Sequence, residues 1–173
     1  MSLAKRSTLL IVEDDQDDAF LLERAFNKLS HNYEIRTVLS GQEAIDYIQG
    51  AGKYADRKTH PFPSYIITDL KMGDRDGLHV LEFIKKNPAR SIIPVVMLSG
   101  SPDPDDVRHA YLLGASSYFV KPSQPEDLHS LVKAIHEYWS RCAVPEVDAD
   151  GYAIPTDSAG KPGERYSKPT RPA

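Results

Sequence analysis

The sequence is short of the residues that staple small proteins or anchor them in lipid. Its single cysteine, Cys142, cannot close an internal disulfide, and no Cys/His grouping has zinc spacing. A disulfide scaffold and a zinc module are both excluded. No apolar run approaches the roughly 20 residues that span a bilayer, and no N-terminal apolar stretch is flanked by basic residues and a cleavage site. The expectation is a cytoplasmic protein with no membrane partner. Basic charge is also scarce: 21 Lys and Arg stand against 25 Asp and Glu, a net charge of −4, with no Lys/Arg stripe. Phosphate neutralisation dominates nucleic-acid binding, so no direct nucleic-acid partner is expected.

What the chain of 173 residues does contain is an alternation of short apolar strands and amphipathic helices. Residues 7–12 are apolar and end in Glu13-Asp14-Asp15. After Asp17-Asp18, the spacing of Ala19, Leu22, Phe26 and Leu29 predicts a helix with acids in its first turn. A strand over 33–39 follows, and Ser40 and Glu43 have capping-box spacing before Ala44, Ile45 and Ile48. Residues 50–63 form a longer connection. A central apolar run over 65–72, read as a buried strand, delivers Asp69, and the turn of residues 73–77 breaks it before a third helix carrying Leu78, Leu81 and Ile84. A fourth strand is expected over 92–98. The helix after it is capped by Asp103, starts at Pro104 and turns Val107, Ala110 and Tyr111 inward. A fifth strand over 116–120 precedes Lys121-Pro122. A last helix, with Ser123 and Glu126 at its start, carries Leu128, Leu131, Val132, Ile135 and Trp139.

Such alternation implies an α/β domain, a doubly wound five-stranded parallel sheet with five helices on its two faces. Ligands in these sheets bind beyond the carboxyl ends of the strands. That rim receives Glu13 and Asp14 from strand one, Asp69 from strand three, Ser99 from strand four and Lys121 from strand five. Crowded carboxylates do not all stay ionised without a cation, and an oxygen-only donor set suits Mg²⁺. Asp69 is then the nucleophile toward a phosphoryl group, with Lys121 and Ser99 neutralising charge around the acyl phosphate.

These residues resemble the receiver domain of bacterial two-component response regulators across nearly all of 7–140. The marks are Glu13-Asp14, Asp69 before Leu70-Lys71-Met72, Asp76-Gly77, Ser99 after an apolar strand, and Tyr118-Phe119-Val120-Lys121-Pro122. The resemblance implies a flavodoxin-like, CheY-like sheet of order 2-1-3-4-5. It implies that Asp69 accepts phosphate from a histidine kinase or phosphotransfer protein, as a signalling phosphoacceptor rather than an enzyme. Asp14 would ligate Mg²⁺ directly, Glu13 mainly through water, and Lys71 through its main-chain carbonyl. Ser99 and Tyr118 would form the switch pair, and the Lys121–Pro122 bond would be cis. Output would pass through the face of helix four, strand five and helix five, which also offers a homodimer contact. Gly73 stands where the family commonly has proline, and Ser99 replaces a commoner threonine. The connection over 50–63 and Glu137-Tyr138-Trp139 narrow the resemblance to single-domain regulators paired with bacterial phytochromes, which lack an output domain.

Two other function classes are weighed. A magnesium-dependent phosphohydrolase would want a second carboxylate two residues after Asp69, where Lys71 stands. A phosphorylation-independent dimeric interaction module would not need the acidic rim. Residues 141–173 are rich in Pro, Gly and charge, with Tyr152, Ile154 and Tyr166 as apolar anchors. They cannot form a second core, and a solvated tail is preferred over an arm packed on the domain.

Overall fold

The computed structural model describes residues 7–29, 33–73 and 76–152. The strands are β1 (Ser7–Val12), β2 (Tyr33–Val38), β3 (Tyr65–Thr68), β4 (Val95–Ser99) and β5 (Ser117–Val120), with helices α1 (Gln16–Leu29), α2 (Gly41–Gln49), α3 (Gly77–Lys86), α4 (Pro104–Leu112) and α5 (Pro125–Arg141). All strand pairs are parallel, and the sheet order is β2-β1-β3-β4-β5. The expected fold is borne out.

Alternation along each strand divides the core. Leu10, Val12, Ile66, Val95 and Met97 pack with α2, α3 and α4 through Ala44, Ile48, Val80, Leu81, Ile84 and Ala110. Leu9, Ile11, Ile67, Val96 and Leu98 face the other way and pack with α1 and α5 through Leu22, Phe26, Val132 and Ile135. Strands β1, β3 and β4 are buried on both faces, which is why they read as apolar runs, whereas the edge strand β5 stays partly exposed.

Local signals fix the helix starts. Asp15 Oδ1 accepts from the main chain of Asp17 and Asp18 at 2.9 and 3.0 Å. The Ser40 hydroxyl accepts from Glu43 N at 3.1 Å, and Glu43 Oε2 reaches back to Leu39 N at 3.1 Å. Asp103 caps α4 through Asp105 N at 2.9 Å, with Pro104 in the first turn. Four local expectations need correcting. Helix α5 is capped by Gln124 without a side-chain bond, because Pro125 takes the first helical position. Tyr111 is exposed, since only Ala110 of α4 is fully buried. Strand β4 starts at Val95, because residues 90–93 close a turn with Ile93 N donating to Arg90 O. No described peptide bond is cis, so Lys121–Pro122 is trans, the form proline also favours slightly.

The preference for a solvated tail also fails over residues 143–152. Val147 is buried in the α2/α3 half of the core. Asp148 Oδ1 closes a turn by accepting from Asp150 N and Tyr152 N at 2.9 and 3.0 Å. Arg90 lies 5.9 Å from the Phe62 ring and 5.7 Å from the Tyr152 ring, and Arg57 lies 5.6 Å from Phe62. This arm seats on the connection over 50–63, which is itself built. Arg57 donates to the carbonyls of Tyr47 and Ile48 at the end of α2, at 2.7 and 2.9 Å, and the Tyr47 hydroxyl donates to Pro61 O at 2.8 Å. Ile154 and Tyr166 lie outside the described residues, as do Asp74 and Arg75 of the turn before α3.

Two positions test this frame. A Cβ on Gly77 would stand 1.9 Å from the Asp69 carbonyl oxygen, while Gly77 N donates to Leu70 O at 2.8 Å. Gly77→Ala should therefore cost at least about 2 kcal/mol in urea unfolding; a variant as stable as the parent would refute the close approach. Lys85 Nζ donates to the carbonyls of Ser91 and Ile93 at 2.7 and 2.8 Å. Lys85→Met keeps the stem and strands both acceptors, so chemical denaturation should report a loss of about 1–3 kcal/mol, and a loss below about 0.5 kcal/mol would mean that water replaces the ammonium.

Candidate functional site

The site is built by the parallel register. Val12 pairs with Thr68, and Thr68 with Met97, so Glu13 and Asp69, each one residue past its strand, emerge side by side. Their main-chain N–H groups continue the ladder, Glu13 N to Val38 O at 3.1 Å and Asp69 N to Val12 O at 3.0 Å. Ser99 ends β4 opposite Val120, and Lys121 N donates to Ser99 O at 2.7 Å. Backbone pairing alone thus brings four functional side chains to one rim.

Lys121 joins them. Its Nζ donates to Glu13 Oε2 at 2.5 Å, Asp69 Oδ2 at 2.9 Å and Asp18 Oδ2 at 3.0 Å. Burial alone would lower its pKa, but the bonds to Glu13 and Asp69 outweigh burial and hold the ammonium above its ordinary range. Glu13 is almost wholly buried, and burial pushes its carboxyl up to about 7 against the opposing pull of Lys121. The second oxygen of Asp69 is also engaged. Asp69 Oδ1 accepts from the main-chain N–H groups of Leu70 and Lys71 at 2.5 and 3.2 Å.

Ser99 and Tyr118 meet through Ser101. Ser101 N donates to the buried Ser99 hydroxyl at 3.4 Å, and the Tyr118 hydroxyl donates to Ser101 O at 2.8 Å. Burial raises the phenol's pKa, in part opposed by hydrogen bonding with Ser99. Asp106, in the first turn of α4, accepts from the Ser101 hydroxyl at 2.6 Å and pairs with Lys71 Nζ at 3.4 Å. The Ser101 hydroxyl, then Lys71, holds its carboxyl below the usual range.

The structure therefore gathers Glu13, Asp69 and Lys121 directly and links Ser99 with Tyr118 beside them. Asp14 stands apart. It is exposed on a groove of about 390 Å³ that runs past Ser40, Gln42 and Gly73. A Cβ on Gly73 would meet no described atom within 4 Å, so close packing does not demand a glycine there. Among the described residues no three His, Cys, Asp or Glu side chains gather as a metal cage. Magnesium does not need one, because it is commonly held by one or two carboxylates with carbonyls and waters. The oxygen set of Asp14, Asp69 and the Lys71 carbonyl fits that chemistry, while Glu13 is already engaged by the ammonium.

Two residues escaped the sequence reading. Asp18 was expected only as a helix-start acid, yet it lies one turn before the buried Leu22, on the face that α1 turns to the sheet. That spacing was the available signal. Asp106 had none, since its partners come from two other loops.

The geometry agrees with the comparisons. The family model for the response regulator receiver domain matches residues 9–133. The chain is 37% identical over 134 residues to the probable methanogenesis regulatory protein FilR2 of Methanothrix harundinacea, covering 76% of this chain and 82% of that protein. It is 33% identical over 131 residues to response regulator Rcp1 of Synechocystis, covering 76% and 87%. The crystal structure of the phosphorylated cyanobacterial phytochrome response regulator RcpA superposes with a TM-score of 0.76 at 34% identity, covering 82% of this chain and 99% of that one. The Mn²⁺-bound form of Rcp1 superposes at 0.74 and 32% identity, covering 81% and 99%. Register, the partly buried lysine and matched sequence point the same way: this chain belongs to the response regulator receiver family of two-component signalling.

Proposed function

We propose that Asp69 is the phosphoryl acceptor of this regulator, taking its phosphoryl group from a phosphohistidine on a histidine kinase or phosphotransfer protein. The observation that carries the reading is the Asp69 carboxylate held 2.9 Å from Lys121 Nζ at the shared rim of β1, β3 and β4. An Asp69 oxygen bonds to phosphorus while the donor's phosphorus–nitrogen bond breaks, and the electron pair leaves with the imidazole, which is protonated from solvent. Such transfer asks for positioning and charge neutralisation more than for a separate base. Lys121 supplies a fixed positive charge beside the acceptor. Bound by Asp14, Asp69 and the Lys71 carbonyl, with Glu13 behind water, Mg²⁺ would neutralise further phosphoryl charge. Residues 7–140 are the receiver domain in this reading, acting in the cytoplasm as a signalling acceptor.

The names of Rcp1 and RcpA suggest a kinase of the phytochrome type as the donor. Output passes through α4, β5 and α5, where Ser99 and Tyr118 carry the change. Tyr111, Leu112 and Val120 are exposed apolar residues on α4 and β5, and the occupant that fits them is a second copy of this chain.

With acetyl phosphate and Mg²⁺, intact mass should rise by one phosphoryl group, and the gain should vanish in Asp69→Asn and in the presence of a chelator. Label persisting in Asp69→Asn would remove this residue as acceptor, and continuous release of phosphate without accumulation would favour a hydrolase. Phosphorylation should also increase molecular size in multi-angle light scattering, and Leu112→Glu should abolish that increase while still taking the label. Dimers that persist in labelled Leu112→Glu would place the contact elsewhere.

A further inference from the structure

At the amino end of the sheet, away from the rim, the arm over 143–152 closes one side of a cavity of about 500 Å³. Its lining includes Ser7 and Thr8 of β1, Glu34 of β2, Phe62 of the connection, and Glu146 and Asp148 of the arm. Acids outnumber bases there. Among the described residues the one basic side chain in the lining is Arg57, which already donates to the carbonyls of Tyr47 and Ile48 at 2.7 and 2.9 Å. Glu34 is paired with Arg36, and Asp148 Oδ1 holds the turn of the arm. Glu146 is exposed and has no paired cation among the described residues. The cavity therefore has one carboxylate to spare.

The chain enters β1 through this wall. Residues 1–6 lie outside the described residues, and covalent geometry alone puts the Cα of Arg6 about 3.8 Å from that of Ser7. Side chains alternate along a strand. Leu10 and Val12 pack in the same half of the core as Phe62 and Val147, and Thr8 shares their face of β1. Thr8 stands opposite Glu34 in the register, so that face is the one turned to the cavity. An Arg6 that continues the extended backbone of β1 presents its side chain on the same face, one step beyond Thr8. We propose that Arg6 seats in this cavity and pairs with Glu146, so that the segment leading into β1 fastens the arm to the domain. Tethered one residue from the wall, its guanidinium acts at a local concentration in roughly the millimolar range, which a free cation or the same segment of a second copy must match. The fastening is weak and reversible, since Glu146 is exposed and such pairs are screened by salt.

The test is amide hydrogen exchange of the full chain, read across residues 143–152, with β4 as the internal control that the domain stays folded. Arg6→Glu should speed exchange of the arm by up to roughly fivefold, about the ceiling for an exposed pair, and leave β4 unchanged. Glu146→Arg should do the same. The double reversal, Arg6→Glu with Glu146→Arg, should return the arm to within about twofold of the wild type, because the two charges act as one unit. Added salt should speed exchange of the wild-type arm and leave that of Arg6→Glu unmoved, a response that damaged packing would not give. Arm exchange that is the same in Arg6→Glu as in the wild type overturns the fastening. Faster exchange that the double reversal does not restore assigns Arg6 another partner and overturns it as well. Wild-type protection that falls on dilution means that the segment comes from a second copy, and the contact within one chain is then wrong.

Discussion

The structure depends on one ammonium group shared among three carboxylates. Lys121 is 14% exposed and Glu13 2%, so both charges have largely left water, at a cost of several kcal/mol each before their attraction is counted. Glu13, Asp18 and Asp69 come from β1, α1 and β3, whereas Lys121 comes from β5, so the pair bridges the sheet from its centre to its edge. No local propensity demands this. An apolar quartet of the same volume would suit stability as well or better, since buried ion pairs seldom outdo good packing. Under the proposed function, the charged arrangement would provide an acceptor carboxylate fixed in orientation and a positive charge already in place where negative charge is to arrive.

The sheet was legible because its three central strands are buried on both faces. Leu9 to Val12, Ile66 to Thr68 and Val95 to Leu98 are continuous apolar runs, and the helices between them carry the 3.6-residue period, which together leave little choice but a doubly wound parallel sheet. The rim followed from the strand ends, so Glu13, Asp69, Ser99 and Lys121 could be named from residue order alone. Helix caps were legible where a side chain does the capping, as at Ser40 and Asp103. They were misread at Ser123, where proline displaced the start by one residue. Asp18 and Asp106 were harder for a common reason. An acid in the first turn of a helix already has a sufficient local explanation in the helix dipole, and only the tertiary placement of Lys121 or Lys71 reveals a second role.

The arm over 143–152 was misjudged for a different reason. Composition measures whether a segment can build its own core, and this one cannot; it says nothing of whether the segment can complete another's. Val147 and Tyr152 are too few to fold alone, yet Phe62 with its two flanking guanidinium groups offers them a prepared surface. Gly151, at φ +85°, brings the backbone so close that a Cβ would lie 2.2 Å from the Phe62 ring. The contact is thus written half in the connection over 50–63 and half in the arm, and neither half is informative without the other. Its position also matters. The cavity under the arm is lined by Ser7, Thr8 and Ser64 at the amino ends of β1 and β3, so the arm packs on the connection at the end of the sheet opposite the rim that carries Asp69.

At the rim the balance of magnitudes favours a switch that responds in one direction. A phosphoryl group on Asp69 would bring about −1.5 to −2 charges beside Lys121, and a unit-charge interaction at such range is on the order of 4 kcal/mol in a partly shielded site. The ties that would have to yield are slight by comparison. Ser101 N to the Ser99 hydroxyl is a long 3.4 Å contact, and the Lys71–Asp106 pair is exposed, worth at most about 1 kcal/mol. Turning a two-state equilibrium from about 1:99 to 99:1 takes roughly 5.5 kcal/mol of interaction that differs between the two states, and because the lysine holds its place in both, that difference would come from the bonds the Ser99 loop gains to the phosphoryl oxygens once those slight ties are released. The Lys121 cluster, by contrast, is strong and buried. The new charge would then move the Ser99 loop and Tyr118 while leaving the lysine in place, so the strongest interaction in the site acts as the fixed point about which the weaker ones rearrange.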